Sequence, residues 1–298
     1  MNRNGIVLLA VLTAAITAGA SAQTERPRGP VIRQVDRILI ESGDLKALFN
    51  FFADTLQLPV AWPMTENRGF TSAGVGAGNV SLEFHRNADS GKAPGRKIAE
   101  AYYSGLAFEP SPLSRALYEL QAREIPYGPP EPYISTLPNG STGLLWTSVP
   151  LNSVSRPGMS IYLFECSPLF LKVAIHREQL ANRLAFSKGG PLGLRSIREI
   201  LIVTPNPVKD KAAWKQLLEK QTPSGNWLAG EGPSIRLVPG TSSRIQEIVA
   251  EVVSLSRAKD FLKKKRLLGS TTSKAIFLKP ATIQGLRIRL TEAEKKRE

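Results

Sequence analysis

Glu83 and His85 lie two apart in the stretch Gly78-Asn79-Val80-Ser81-Leu82-Glu83-Phe84-His85. In a strand, residues two apart face the same way, so the carboxylate and the imidazole share a side. Such a pair could serve as a general base and its partner. It could also offer two ligands to a divalent ion, which is short of the set that a metal centre needs. The plainer alternative is a structural carboxylate at Glu83, with His85 near solvent at the strand end.

Other reactive residues are sparse. Cys166 is the one cysteine, so no intrachain disulfide can form and packing alone must hold the fold. It ends an apolar strand and reads as a small buried hydrophobe. A nucleophilic role would need a nearby histidine, and His85 and His176 are the only two. His176, among Lys172, Arg177 and Glu178, reads as an exposed helical histidine. Gly74, Gly76 and Gly78 suggest a phosphate loop, but a strand follows them rather than a helix, which predicts a hairpin or bulge.

The elements that position these residues repeat. Ile38 to Leu45 and Leu106 to Leu113 are octets of the same spacing, each a strand, a turn and the start of a helix, with weaker copies at Ile200 to Lys220 and Ile248 to Leu268. In the first copy, Leu45, Leu48, Phe49, Phe52 and Leu56 recur with helical period after Asp44. Strands are predicted at Pro59 to Pro63, Gly69 to Gly74 and Val80 to His85, giving the order βαβββ. The second copy has strand Tyr103 to Phe108, helix Pro112 to Arg123 and strands Tyr133 to Thr136, Gly143 to Val149 and Ser160 to Glu165. A helical segment follows, Pro168 to Leu184. The third copy is short of strands, because Asn226 to Gly232 leaves little room for them. The fourth runs from Ile245 to Leu290. The expected class is α+β, with about four βαβββ modules in pairs.

The chain of 298 residues has 42% hydrophobic content, enough for about two domains with real cores. At its start, Arg3 precedes the uncharged run Gly5 to Ala20 and the small-x-small site Ala20-Ser21-Ala22. This pattern predicts a signal peptide and export to the periplasm or medium. The expected organisation is a signal peptide (1–22), a leader (23–32), a first domain (33–187), a linker (188–195) and a second domain (196–298), with no membrane span after cleavage. Asn79-Val80-Ser81 and Asn139-Gly140-Ser141 match the glycan acceptor pattern. The formal charge of +14 could attract an anionic polymer. The basic residues are spread along the chain, however, so a dedicated nucleic-acid face is not expected.

Paired βαβββ modules resemble the vicinal oxygen chelate superfamily, which includes glyoxalase I, bleomycin-resistance proteins and extradiol dioxygenases. The resemblance rests on Val35-Asp36-Arg37-Ile38 with Asp44-Leu45, and on the closing strand Gly78 to Phe84. It implies a cup in which a metal sits on side chains from the first and last strand of each module, usually His and Glu. Carried over, those positions fall on Arg37 and Glu83, on Gly105 and Tyr162, on Glu199 and Arg236, and on Glu247 and Arg289. No module keeps His with Glu, and arginine, permanently charged, cannot ligate. The expectation is an exported protein whose cup, with Arg37, Glu83, Gly105 and Tyr162, binds a small molecule without a tightly held metal. Phe51, Trp62, Tyr102, Tyr103, Trp146 and Tyr162 are its candidate aromatics. Two alternatives stay open. One is a lyase, isomerase or dioxygenase using Glu83 and His85, by a divalent metal or by acid–base chemistry. The other is an interaction module using the basic surface.

Overall fold

A computed structural model describes residues 29–67, 69–87, 100–137 and 139–294. The expected signal peptide and most of the expected leader lie outside the described residues. Among the described residues, no helix is long and apolar enough to cross a membrane.

The first two modules build one sheet of eight strands. They are β1 (Ile32–Glu41), β2 (Val60–Asn67), β3 (Phe70–Gly76), β4 (Ser81–Asn87), β5 (Tyr102–Pro110), β6 (Glu131–Thr136), β7 (Thr142–Pro150) and β8 (Ser160–Cys166), in the spatial order β2-β3-β4-β1-β5-β8-β7-β6. Each first strand pairs in parallel with its module's last strand, and β1 joins β5 antiparallel at the centre. The central strands are buried on both faces, which is why Ile38, Leu39, Ile40 and Leu106 to Phe108 read as apolar runs rather than as alternation.

Helix α1 (Leu45–Asn50) starts where the Asp44 carboxylate accepts from the Ala47 amide at 3.1 Å, and widens into a π-turn over Phe51–Thr55. Helix α2 (Leu113–Ala122) follows Pro112, which offers no capping side chain. The Glu165 carboxylate of β8 accepts from the Leu113 amide instead, at 2.8 Å. Helix α3 (Val173–Phe186) then crosses back over β2 and β3.

The third and fourth modules form a sheet of six strands. The first three are β9 (Leu194–Thr204), β10 (Ser234–Pro239) and β11 (Arg244–Val252). The others are β12 (Leu268–Thr271), β13 (Ala275–Leu278) and β14 (Ile288–Glu292), with helices α4 (Pro207–Leu217) and α5 (Leu255–Lys264). The order is β10-β9-β11-β14-β13-β12, and the third module contributes only its first and last strands. β12 is an addition to the sequence reading. One apolar cluster runs through both sheets, from Phe52, Leu82 and Phe108 to Trp214, Ile248 and Ile288.

Asn79 ties the two sheets together. Its amide donates to the Ile197 carbonyl and accepts from the Ile197 amide, each at 3.0 Å. The nitrogen that a glycan would use is therefore already committed. Gly78, at φ +85°, makes the β3–β4 turn, and a Cβ there would lie 2.1 Å from the Arg195 carbonyl oxygen. This glycine serves a turn and a close approach of backbones.

Candidate functional site

The concave face of the eight-stranded sheet holds a cavity of about 800 Å³. Arg37, Leu39 and Glu41 enter it from β1, Glu83 and His85 from β4, and Tyr162, Phe164 and Cys166 from β8. The registers match between modules. Leu39 sits opposite Glu83 across β1–β4, and Ala107 opposite Tyr162 across β5–β8. Glu83 and Tyr162 thus hold equivalent places, as do Arg37 and Gly105, each two residues earlier on its strand.

Arg37 is the centre of the cup. Its Nη1 donates to Glu83 Oε2 at 3.0 Å and its Nε to Asp36 Oδ2 at 2.8 Å. Its Cζ lies 4.2 Å from the centroid of the Phe164 ring and 5.1 Å from that of Trp62. Burial works against this cation. The carboxylates of Asp36 and Glu83 more than offset it, so its pKa stands above the ordinary arginine value. Asp36 also meets Arg177 of α3 at 3.4 Å, and Arg177 meets Glu109 at 2.5 Å. Strand alternation would set Asp36 and Arg37 on opposite faces. A register shift between Val35 and Arg37 allows both to join one network.

Gly105 does not line the cavity. A Cβ there would lie 1.9 Å from the Ser160 carbonyl oxygen, so β5 and β8 meet at a point with no room for a side chain. A bulge in β5 steps over Ser104, with Leu39 paired to Gly105 and Ile40 to Tyr103. The bulge turns Tyr102 and Ser104 into the cup. The Ser104 hydroxyl lies 2.7 Å from His85 Nε2, and the Tyr102 hydroxyl donates to Glu41. Of the candidate aromatics, Trp62, Tyr102, Trp146 and Tyr162 line the cavity. Phe51 packs against the core, and Tyr103 points the other way, donating to the Arg287 carbonyl at 2.9 Å. Burial pushes the Tyr162 phenol well up, with the Glu83 charge adding to the effect.

His176 corrects the sequence reading. It is half-buried on α3 and lines the cup, and burial lowers its pKa. Cys166 is buried against Phe164 and Ala107. Burial is the main cause that pushes its thiol up to about 11. At pH 8 only about one thiol in a thousand is then ionised. We expect the native protein to react with a disulfide reagent many times more slowly than the denatured protein. Equal rates in the two states would show that Cys166 is open to solvent.

The six-stranded sheet repeats the pairing of charges. Arg236 Nη2 lies 2.8 Å from Glu199, and Arg289 Nε lies 2.9 Å from Glu247. Arg289 also reaches Glu199 at 3.7 Å, and Asn226 donates to that carboxylate at 2.9 Å. A second hollow, of about 1070 Å³, lies at the head of α3 and shares Phe164, Cys166 and Leu171 with the cup. It contains none of the paired strand positions, which sets the cup apart as the candidate site.

No protein-family model and no curated protein matches the sequence. Several solved structures share its fold. A hypothetical protein from Staphylococcus aureus superposes with a TM-score of 0.58 at 10% identity, over 87% of this chain and 99% of that one. A variant of homoprotocatechuate 2,3-dioxygenase from Brevibacterium fuscum gives 0.55 at 15% identity, over 89% and 74%. The homoprotocatechuate 2,3-dioxygenase of Arthrobacter globiformis gives 0.55 at 14% identity, over 90% and 82%. At such identities the likeness speaks for the fold, which is α+β and vicinal oxygen chelate-like.

The divalent ion that this fold implies does not suit the side chains present. Arg37 brings a fixed positive charge to the first-strand position, and Gly105 has no donor. Tyr162 offers a phenol that burial keeps protonated. Glu83 is engaged by Arg37. Among the described residues, no group of three or more His, Cys, Asp or Glu side chains is placed to hold an ion.

Proposed function

We propose that this protein binds a small organic molecule in the cup of its eight-stranded sheet, with the Arg37 guanidinium in the place of a divalent ion. One observation carries the reading. Arg37 is fixed on four sides, by Glu83, Asp36, Phe164 and Trp62, and the resemblance gives its position to a first-strand metal ligand. A fixed cation supplies charge to a cavity without needing open coordination sites. Elemental analysis of protein purified without chelators should find well under one equivalent of Zn, Fe, Mn or Ni. One equivalent, lost on Glu83→Ala, would overturn the proposal.

The contact between His85 and Ser104 favours a second reading, metal-free acid–base chemistry on the bound molecule. Its imidazole could exchange a proton with a ligand through Nε2, the atom now facing the Ser104 hydroxyl. Under this reading His85→Gln removes turnover and leaves ligand affinity nearly intact. Full turnover in that variant would exclude His85 as the proton carrier.

We also propose that the chain is exported and cut after Ala22. The apolar run Gly5 to Ala20 and the site Ala20-Ser21-Ala22 support this. Intact-mass measurement of exported material should give a chain starting at Gln23. Full-length protein in a membrane fraction would reverse the assignment.

A further inference from the structure

We infer that the cup recognises a neutral ring bearing several hydroxyl groups, a saccharide or a cyclic polyol. This rests on the proposal that the cup is a binding site and names the class of molecule it takes.

The charged groups in the cup already have protein partners. Arg37 is held by Glu83 at 3.0 Å and by Asp36 at 2.8 Å, and Glu41 accepts the Tyr102 hydroxyl. Glu66 is exposed at the rim. An ionic ligand would have to compete for partners in a buried ion pair, and breaking such a pair leaves a charge uncompensated. A neutral ligand makes no such demand.

The open hydrogen-bonding capacity belongs to hydroxyls. Ser72 on β3, Ser135 on β6, Ser148 on β7 and Ser160 on β8 line the cavity, and none makes a side-chain hydrogen bond among the described residues. Ser72 is only 6% exposed as a residue, and its hydroxyl keeps its access on the cavity side, since it is not among the fully buried side-chain atoms that lack a partner. Each serine hydroxyl both donates and accepts, and a ligand hydroxyl does the same. Four such groups spread over four strands suit a molecule with hydroxyls around a ring.

The walls supply flat faces. Trp146 lines the cavity and stacks on Tyr133, with ring centroids 4.1 Å apart and planes 5° apart. Trp62 also lines the cavity, but its ring already has protein neighbours. These are the Gly74 backbone, where a Cβ would come within 2.6 Å, and the Arg37 guanidinium, 5.1 Å from its centroid. Trp146 is therefore the stacking face and Trp62 a nearby reporter. The face of an aromatic ring is electronegative, and the axial C–H bonds of a sugar ring are weakly positive. Stacking therefore complements the hydroxyl contacts at the ring's edge. The volume of about 800 Å³ falls within the range of small-molecule sites and leaves room for two joined rings.

The test uses the tryptophans as reporters. Trp62 and Trp146 line the cup, while Trp214 and Trp227 are buried in the core and serve as internal controls. The exported chain, labelled at the indole nitrogens, is titrated by NMR with glucose, galactose, mannose, N-acetylglucosamine, maltose, cellobiose and myo-inositol. At least one should shift the Trp62 and Trp146 signals saturably and leave those of Trp214 and Trp227 in place. Ser72→Ala and Ser148→Ala should each weaken that binding by about fivefold, and Trp146→Ala by about tenfold or more. Shifts that survive all three substitutions would place the sugar elsewhere and overturn the inference. Catechol, benzoate and benzyltrimethylammonium are titrated in parallel. If they move the cup signals and no sugar does, the ligand class is wrong and the binding site stands. If no probe moves them, both the class and the binding reading fall.

Discussion

Arg37→Ala is expected to destabilise the protein by about 3–5 kcal/mol, because it strands two carboxylates in a closed cup. The side chains of Arg37, Asp36 and Glu83 are only 12%, 8% and 13% exposed. Removal of the guanidinium leaves Glu83 without its ion-pair partner and Asp36 with the longer contact to Arg177 alone. Glu83→Ala should cost less, since Arg37 keeps Asp36 and its two aromatic neighbours. The double substitution should cost less than the sum of the single ones, because one stranded charge disappears with its partner. Denaturant melts of the four proteins give this coupling directly. Additive effects, within about 0.5 kcal/mol, would mean that the two groups do not interact. The metal-replacement reading would then lose its main support.

Gly105→Ala is expected to cost about 3 kcal/mol, by overpacking at a point where two backbones meet. The added Cβ would lie 1.9 Å from the Ser160 carbonyl oxygen and 2.8 Å from its carbonyl carbon. No side-chain rotation can relieve a clash with backbone, so β5 and β8 would have to separate at their parallel pairing. Ser160→Gly should not rescue the variant, because the obstacle is the carbonyl and not the serine side chain. By the same argument, Gly105→His should unfold the sheet locally rather than restore a metal ligand. A Gly105→Ala protein that melts within about 0.5 kcal/mol of the parent would show that the strands part easily there.

Hydrophobic period and turn chemistry made the repeat legible from the residues alone. The strand and helix of each module, the shortened third module and the hairpin at Gly78 all follow from local pattern. β12 did not, because Leu268-Gly269-Ser270-Thr271 is too short to show alternation. The π-turn after Asn50 was also hidden, since its residues continue the helical period. The pairing of Arg37 with Glu83 was legible through the resemblance, which carries the first-strand and last-strand ligand positions onto those two residues. In the register they lie on a diagonal, Arg37 opposite Ser81 and Glu83 opposite Leu39.

The wall of the cup was decided by tertiary structure. Counting by twos from Gly105 turns Tyr103 inward. The bulge at Ser104 reverses that parity and presents Tyr102 and Ser104 instead. A second register shift brings Asp36 to Arg37. His176 and Arg177 looked like parts of a solvated helix face, because the docking of α3 on β2 and β3 leaves no mark in α3's own residues. Sequence alone thus determined the modules, since they depend on residue type and local spacing. Which side chains face the cavity was settled by bulges and helix docking, where contacts between distant segments override local period.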